Sequence, residues 1–341
     1  MFDTFGQPPA TRRRACLALL GGACLGLAAA ARGQQAPPPL RFGILPIGGT
    51  LDSRTGWEPV LAELAQHVGR HVSLLSATSY EALNDAVAKQ EVDVAFLSGR
   101  MALDAVTRRN MRVIAQVSRH DGLPGYRATL LALQGGPVPD LQAVLAAPGK
   151  WRLARGEKRS MSGFIVPKLE LFLPRQIDIE TAFLGEIVGT HQRTALAVAN
   201  READLATNNS ADFERFALQF PAEAGRLRVL WQSELIPHGA IVIHRQHDAT
   251  LRAPVQRFLV GYGRGEGERA ERQRAVLKGL HDFAGFLPSD NRSLLPVASL
   301  AHKLALDSAS AAQWIDDAAR QARLARIESD YAAQLRVLNT D

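Results

Sequence analysis

Val92-Asp93-Val94-Ala95-Phe96-Leu97-Ser98-Gly99 is a short apolar run that closes on a small polar turn, and Met101 to Arg108 after it has helical spacing. Such a run, bounded by turn residues, reads as a buried strand. Working backwards, Arg41 to Leu45 is another strand, Trp57 to Val68 an amphipathic helix with Val60, Leu61, Leu64 and Val68 on one face, and Val72 to Leu75 the next strand. Thr78-Ser79-Tyr80-Glu81 has the form of a capping box ahead of a helix over Ala82 to Lys89. The order βαβαβα predicts an α/β fold with a parallel sheet covered on both faces. Ligands of such sheets bind beyond the strand C-termini, where helix N-termini point. Ser79, Tyr80, Ser98 and Gly99 fall there. Turn chemistry alone accounts for Ser and Gly, but a turn does not demand the aromatic hydroxyl of Tyr80.

Downstream, a second α/β series begins near Leu141. Trp151 to Ala154 reads as a strand, Ser162 to Leu173 as a helix, and Ile179 to Leu184 as irregular or a strand. Thr190 to Asn200 is a helix burying Ala195, Leu196, Val198 and Ala199, Leu205 to Thr207 leads into Asn208-Asn209-Ser210, and Arg228 to Trp231 is a further strand. The chain returns to the first series through Ile236 to His244. Crossings near Tyr126 to Leu133 and near Pro237 to Val242 make a two-strand hinge. The expected division is 38–130 plus 238–300 for one lobe, 131–237 for the other, and 301–341 for a C-terminal helical segment. In that segment Ile315, Ala318, Ala322, Leu324, Ile327, Tyr331 and Leu335 recur at helical spacing, as in a helix that docks on the body or on a second copy.

Ser160-Met161-Ser162-Gly163-Phe164-Ile165-Val166-Pro167 places two hydroxyls and several free amides where a helix begins. A helix start leaves N–H groups unpaired and carries partial positive charge, so the run reads as an oxyanion site or as an ordinary N-cap. Pro167 conflicts with a regular helix through this run, because proline removes a helical hydrogen bond.

The N-terminus bears on compartment. Arg12, Arg13 and Arg14 precede an apolar run from Ala15 to Ala31, which reads as a secretory signal peptide over 1–33 with cleavage near Ala31. The Thr11-Arg12-Arg13 start is a weak match to a twin-arginine signal. Both cysteines, Cys16 and Cys24, lie in this segment, so the mature chain is expected to have no disulfide, thiolate metal site or cysteine nucleophile. About 300 residues then remain, enough for two lobes. Losing Arg12 to Arg14 and Asp3 takes the formal net charge from +6 to about +4, with basic and acidic residues interspersed. That balance favours anionic ligands and excludes a nucleic-acid surface.

In order and spacing, Phe42-Gly43-Ile44-Leu45-Pro46, Val92 to Leu97, Pro124-Gly125-Tyr126, Ser160 to Pro167, Ala195 to Asn200, Ala206-Thr207-Asn208-Asn209, Leu235-Ile236-Pro237, Ser289-Asp290 and Leu294-Leu295-Pro296 resemble the periplasmic phosphonate-binding proteins of ABC importers. The resemblance implies a two-lobed, type II Venus-flytrap binding protein with C-terminal helices, closing on a phosphorus oxyanion. It implies that Ser160 and Ser162 donate hydroxyls, Met161 and Ser162 donate backbone N–H groups, and His191 completes the grip. One lobe would add the loops at Ser79-Tyr80 and Leu97-Ser98, the other Asn209 and Ser210. The resemblance implies that members holding an aminoalkylphosphonate carry acids where this chain has Ala211 and Gly239, and that the family usually has a small hydroxyl residue where this chain has Met161. A buried ammonium without a carboxylate partner is costly, so phosphate, phosphite or an alkylphosphonate fits better.

The implied partners are a small oxyanion and an inner-membrane ABC permease, with a homodimer through the C-terminal helix as a further possibility; no cofactor or metal is expected. A sensor or adaptor for a membrane receptor is the alternative on the same fold. Catalysis is not expected: His120-Asp121 and His281-Asp282 are adjacent residues that point apart, His244-Arg245-Gln246-His247 lacks a metal-ligand set, and no nucleophile elbow, P-loop or dinucleotide fingerprint is present.

Overall fold

The computed structural model describes residues 1–2, 37–47, 50–280 and 282–340. The expected signal segment from residue 3 onward, both cysteines and His281 lie outside the described residues. Residues 39–341 form one compact unit. Its elements are β1 (Leu40–Ile44), α1 (Thr50–Val68), β2 (Val72–Ser76), α2 (Tyr80–Ala88), β3 (Val94–Leu97), α3 (Gly99–Arg108), β4 (Met111–Arg119) and β5 (Gly125–Leu133). There follow α4 (Leu141–Ala146), β6 (Arg152–Arg155), β7 (Gly185–Val188), α5 (His191–Ala199), β8 (Leu205–Asn209), α6 (Ser210–Gln219), α7 (Pro221–Ala224) and β9 (Leu227–Pro237). The chain ends with β10 (Ala240–His244), α8 (Ala249–Gly261), α9 (Glu268–Gly279), β11 (Phe283–Pro288), α10 (Leu295–Ala311) and α11 (Asp317–Asn339).

Two sheets result. The first has the order β11-β4-β10-β3-β1-β2, the second β7-β6-β8-β5-β9. As the alternation of elements dictates, β1 lies between β2 and β3 and runs parallel to both, with Phe42 opposite Leu74 and Val94. The sheet is mixed rather than wholly parallel, because β10 enters antiparallel between β3 and β4 and β11 adds antiparallel at the edge. All five residues of β10, Ala240-Ile241-Val242-Ile243-His244, are buried, which suits a central strand. Trp57, fully buried on α1, fills the space between the strands and β11, with ring centroids 5.4 Å from Phe42, 5.5 Å from Phe96 and 6.1 Å from Phe286.

The first sheet connects to the second through residues 120–124, and the second returns to the first through His238-Gly239. β5 therefore lies wholly in the second sheet, paired with β8 and β9, whereas the expected first lobe ran to residue 130. β9 is longer than the expected Arg228 to Trp231 and carries the chain back to the crossing as one strand. α10 spans the expected boundary at 300. α11 buries Ile327 and Leu338, and Tyr331 stacks on His302 of α10 at 4.1 Å. Ile315, in the turn before α11, is exposed.

Candidate ligand-binding cleft

Between the two sheets, beneath the crossings, lies a cleft with a cavity volume of about 70 Å³. One water needs roughly 10–15 Å³ on this measure, so the space suits a small solute. The first-sheet side supplies Tyr80 and Ser98, the second-sheet side Ser160, Met161, Ser162, His191 and Asn209, and the crossings Tyr126 and His238.

The Ser160 turn is the centre of this site. Leaving β6, the chain passes through Gly156 and reaches Ser160 in extended conformation, where its Oγ accepts from the Gly163 N–H at 3.0 Å. The Ser160 carbonyl accepts from the N–H groups of Phe164 at 3.2 Å and Ile165 at 3.0 Å, and Val166 N–H donates to the Met161 carbonyl. The regular helix expected over Ser162 to Leu173 is instead wound in wider π-helical turns, Met161–Ile165 and Pro167–Phe172, followed by a short 3-10 turn Leu173–Arg175. Pro167 explains the change, since its ring lacks an N–H and crowds the carbonyl of Gly163. That carbonyl accepts instead from Gly156 N–H at 3.0 Å and Thr207 Oγ1 at 2.7 Å. A Cβ at Gly156 or at Gly163 would stand 2.7 Å from the other glycine's Cα, so the crossing of the two backbones requires both. The turn's first amides, Met161 and Ser162, have no preceding helical carbonyl to bond.

Ser162 Oγ stands 3.1 Å from His191 Nε2 and accepts from Asn209 Nδ2 at 3.2 Å. His191 is placed by its position at the start of α5, where Thr190 Oγ1 caps Arg193 N–H at 3.3 Å and Asn208 Nδ2 donates to the His191 carbonyl at 2.8 Å. Burial lowers the His191 pKa, opposed by Asp212 and the Thr207 backbone, which leaves a neutral ring at pH 7. Asn209 caps α6, accepting from Asp212 N–H at 2.8 Å while its Nδ2 donates to Asp212 Oδ2 at 2.7 Å. That carboxylate is 3.9 Å from His191 Nε2. The Tyr80 hydroxyl faces the Ser160 side chain and the Tyr126 hydroxyl faces that of Ser162. Burial first, then Asp212, pushes both phenols well above the ordinary tyrosine range, so both stay protonated donors.

Ser98 precedes α3 and is buried, and its Oγ makes no hydrogen bond among the described residues, neither as a cap nor elsewhere. It lines the cleft beside a helix N-terminus.

Three of the expected contacts are turned elsewhere. Ser79 caps α2, its Oγ accepting from Ala82 N–H at 3.0 Å, so this helix begins two residues earlier than the capping-box reading placed it. Leu97 is fully buried in the core. Ser210 Oγ accepts from Arg127 N–H at 3.1 Å. Nor does the start of α2 offer its amides to a ligand: Tyr80 N–H and Glu81 N–H donate to the Glu157 carboxylate at 3.1 and 3.3 Å. Glu157 comes from the opposite side of the cleft. Beside it, Arg159 bonds Glu81 at 2.5 Å and Asp104 at 3.3 Å, and Arg119 at the end of β4 bonds Glu214 of α6 at 2.9 Å. These pairs hold the two halves together around the cleft.

Tyr126 was present in the sequence as Pro124-Gly125-Tyr126, but only its position at the crossing turns the hydroxyl inward. Arg119 was legible by the rule that strand C-termini carry ligand sites, once Met111–Arg119 is known to be a strand.

Residues 42–294 match the family described as ABC transporter, phosphonate, periplasmic substrate-binding protein. The chain is 30% identical over 271 residues to the phosphonates-binding periplasmic protein of Escherichia coli (strain K12), covering 80% of this chain and 78% of that one. It is 23% identical over 233 residues to the phosphate-import protein PhnD of Mycolicibacterium smegmatis, covering 65% and 72%. Its fold is similar to the crystal structure of a binding protein component of an ABC phosphonate transporter from Pseudomonas aeruginosa, with TM-score 0.79, 27% identity and coverage of 88% of this chain and 97% of that one. The paired sheets, the cleft between them and the match over most of the chain agree: this protein belongs to the periplasmic substrate-binding proteins of phosphonate ABC transporters.

Proposed function

We propose that the cleft captures a small phosphorus oxyanion, a phosphonate, phosphite or phosphate, and that the closed form presents it to an inner-membrane ABC permease after export of the chain. The observation that carries this reading is the convergence of neutral donors from both halves on one small space: Ser98 and Tyr80 from one side, Ser160, Ser162, His191 and the first amides of the π-helical turn from the other. A tetrahedral oxyanion has acceptors in every direction, so it satisfies donors converging in this way. Contact with both halves is also what a ligand needs to shift the population toward closure. Met161 offers its amide but no hydroxyl, so the turn presents one side-chain donor fewer to the head group.

The names of the two relatives, one for phosphonates and one for phosphate, support an oxyanion in this range. Membership of a transport family favours delivery to a permease over the sensor reading. A thermal-shift screen of methylphosphonate, phosphite, phosphate, sulfate and a sulfonate tests the proposal. A rise in Tm with at least one of the phosphorus compounds is expected, whereas no shift with any of them, or a shift with sulfonate alone, refutes it.

A further inference from the structure

Beside the Ser160 turn the two halves also meet through apolar side chains. Met161, the first residue of the π-helical turn, follows β6 of the second sheet, whereas Gly99, the first residue of α3, follows β3 of the first. Val297 belongs to α10, which follows β11 of the first sheet and packs on α3. All three are buried, Met161 with 2% and Val297 with 1% of its surface exposed. They converge over the Gly99 Cα: a Cβ there would stand 2.8 Å from Val297 Cγ2 and 3.8 Å from Met161 Cγ. Glycine keeps a notch open between α3 and α10, and the Met161 side chain closes it from the opposite half.

Farther along α10, Ala301 and Leu304 share a cavity of about 570 Å³ with Phe164 and Ile165 of the turn, so the turn packs closely on this helix at Met161 rather than there. The residues that precede the contact in the two halves, Ser98 and Ser160, both line the cleft. The contact therefore fixes how far apart the donors of the two halves stand.

Resting on the oxyanion reading above, we infer that Met161 is a positioning residue for ligand capture, whose side chain, seated on Gly99 and Val297, couples the oxyanion turn to closure of the two halves. A small hydroxyl residue here would offer the ligand one more donor and leave the notch empty, whereas the flexible thioether of methionine fills an irregular space of this kind. Because the contact spans the halves, its free energy favours the closed form alone, and whatever favours the closed form raises the apparent affinity.

A double-mutant cycle read by calorimetry tests the inference, using whichever of methylphosphonate, phosphite and phosphate binds the wild type most tightly. Val297 does not line the cleft, so any effect of Val297→Ala on Kd passes through closure. Met161→Ala is expected to raise Kd about tenfold, Val297→Ala about three- to fivefold, and the double variant no more than Met161→Ala alone, because both remove the same contact. Met161→Leu, which nearly conserves volume, is expected to stay within about twofold of the wild type. Kd is the readout because Val297 is buried and its truncation lowers Tm whatever its role; if Val297→Ala does not fold, Val297→Thr takes its place in the cycle. An unchanged Kd in either single variant, or losses that multiply in the double variant, overturns the inference while the wild type, still binding, leaves the oxyanion reading intact. If none of the three compounds binds the wild type, the oxyanion reading fails and this inference falls with it.

Discussion

Replacing Glu157 by Ala removes a carboxylate that is not among the residues lining the cleft, yet affinity is expected to fall. In the structure its two oxygens accept from the N–H groups of Tyr80 and Glu81, at 3.1 and 3.3 Å, across the cleft. A charge-assisted hydrogen bond is worth about 1.5–3 kcal/mol at best, and a carboxylate at an exposed helix N-terminus about 0.3–1 kcal/mol. The longer contact and the exposed Glu81 argue for the lower part of that range, so about 1–2 kcal/mol is lost. The contact exists only when the halves stand at this separation, so the loss falls on the closed state alone. If the ligand-free protein is mainly open, apparent Kd rises by about 5- to 30-fold. Calorimetry on the wild type and Glu157→Ala measures this, with small-angle scattering of the ligand-free proteins to report closure. Lys158→Ala is the control: Lys158 pairs with Glu180 within its own half, so no change in Kd is expected. An unchanged Kd and an unchanged ligand-free radius of gyration in Glu157→Ala would refute the clasp.

Ser98→Ala is expected to weaken oxyanion binding by about 5- to 10-fold without lowering Tm, because its buried hydroxyl has no hydrogen bond in the described protein to lose; a Tm loss with unchanged affinity counts against its role. Burial lowers the pKa of His191, His238 and His244 in the folded state, so between the folded and unfolded values the unfolded chain binds more protons. The stability this supplies is present above the unfolded value of about 6.5 and is lost as pH falls through the folded values, so Tm of the ligand-free protein should drop from pH 7 to pH 5; a flat profile contradicts this. Asp93 is held down to about 2 against the opposing effect of burial, by the Arg41 side chain and backbone N–H and by His247. Its contribution is present above the unfolded value of about 4 and disappears as pH falls toward 2, and Asp93→Asn should cost about 1–2 kcal/mol in urea unfolding at pH 7 but little at pH 2.

What could be read from the sequence followed from periodicity and composition. The parallel order of β1, β2 and β3, the helix within Thr190 to Asn200 and the Ser160 N-cap all come from local patterns that the fold does not override. What stayed hidden depended on contacts distant in sequence. The antiparallel insertion of β10 between β3 and β4 joins segments separated by the whole second sheet, and no local signal specifies it. Pro167 marked a conflict with a regular helix, but its resolution needed Gly156 and Thr207 to take up the Gly163 carbonyl. Ser79 and Ser210 had the right chemistry and the right neighbourhood, but backbone amides took their hydroxyl oxygens, that of Ala82 in the same helix turn for Ser79 and that of Arg127 on the distant strand β5 for Ser210. Tyr126 acquires meaning only where the chain crosses between sheets, and Arg119 only once β4 is known to end there.

The role of the Ser160 turn is tested most directly by calorimetric titration of methylphosphonate into the wild type and Ser162→Ala. Ser162 is the hydroxyl on which His191, Asn209 and Tyr126 converge. The expected result is saturable binding to the wild type and a loss of affinity of about tenfold or more in the variant, since one buried charge-assisted hydrogen bond is removed. Equal affinity in the two proteins would contradict the assignment of this turn as the oxyanion grip.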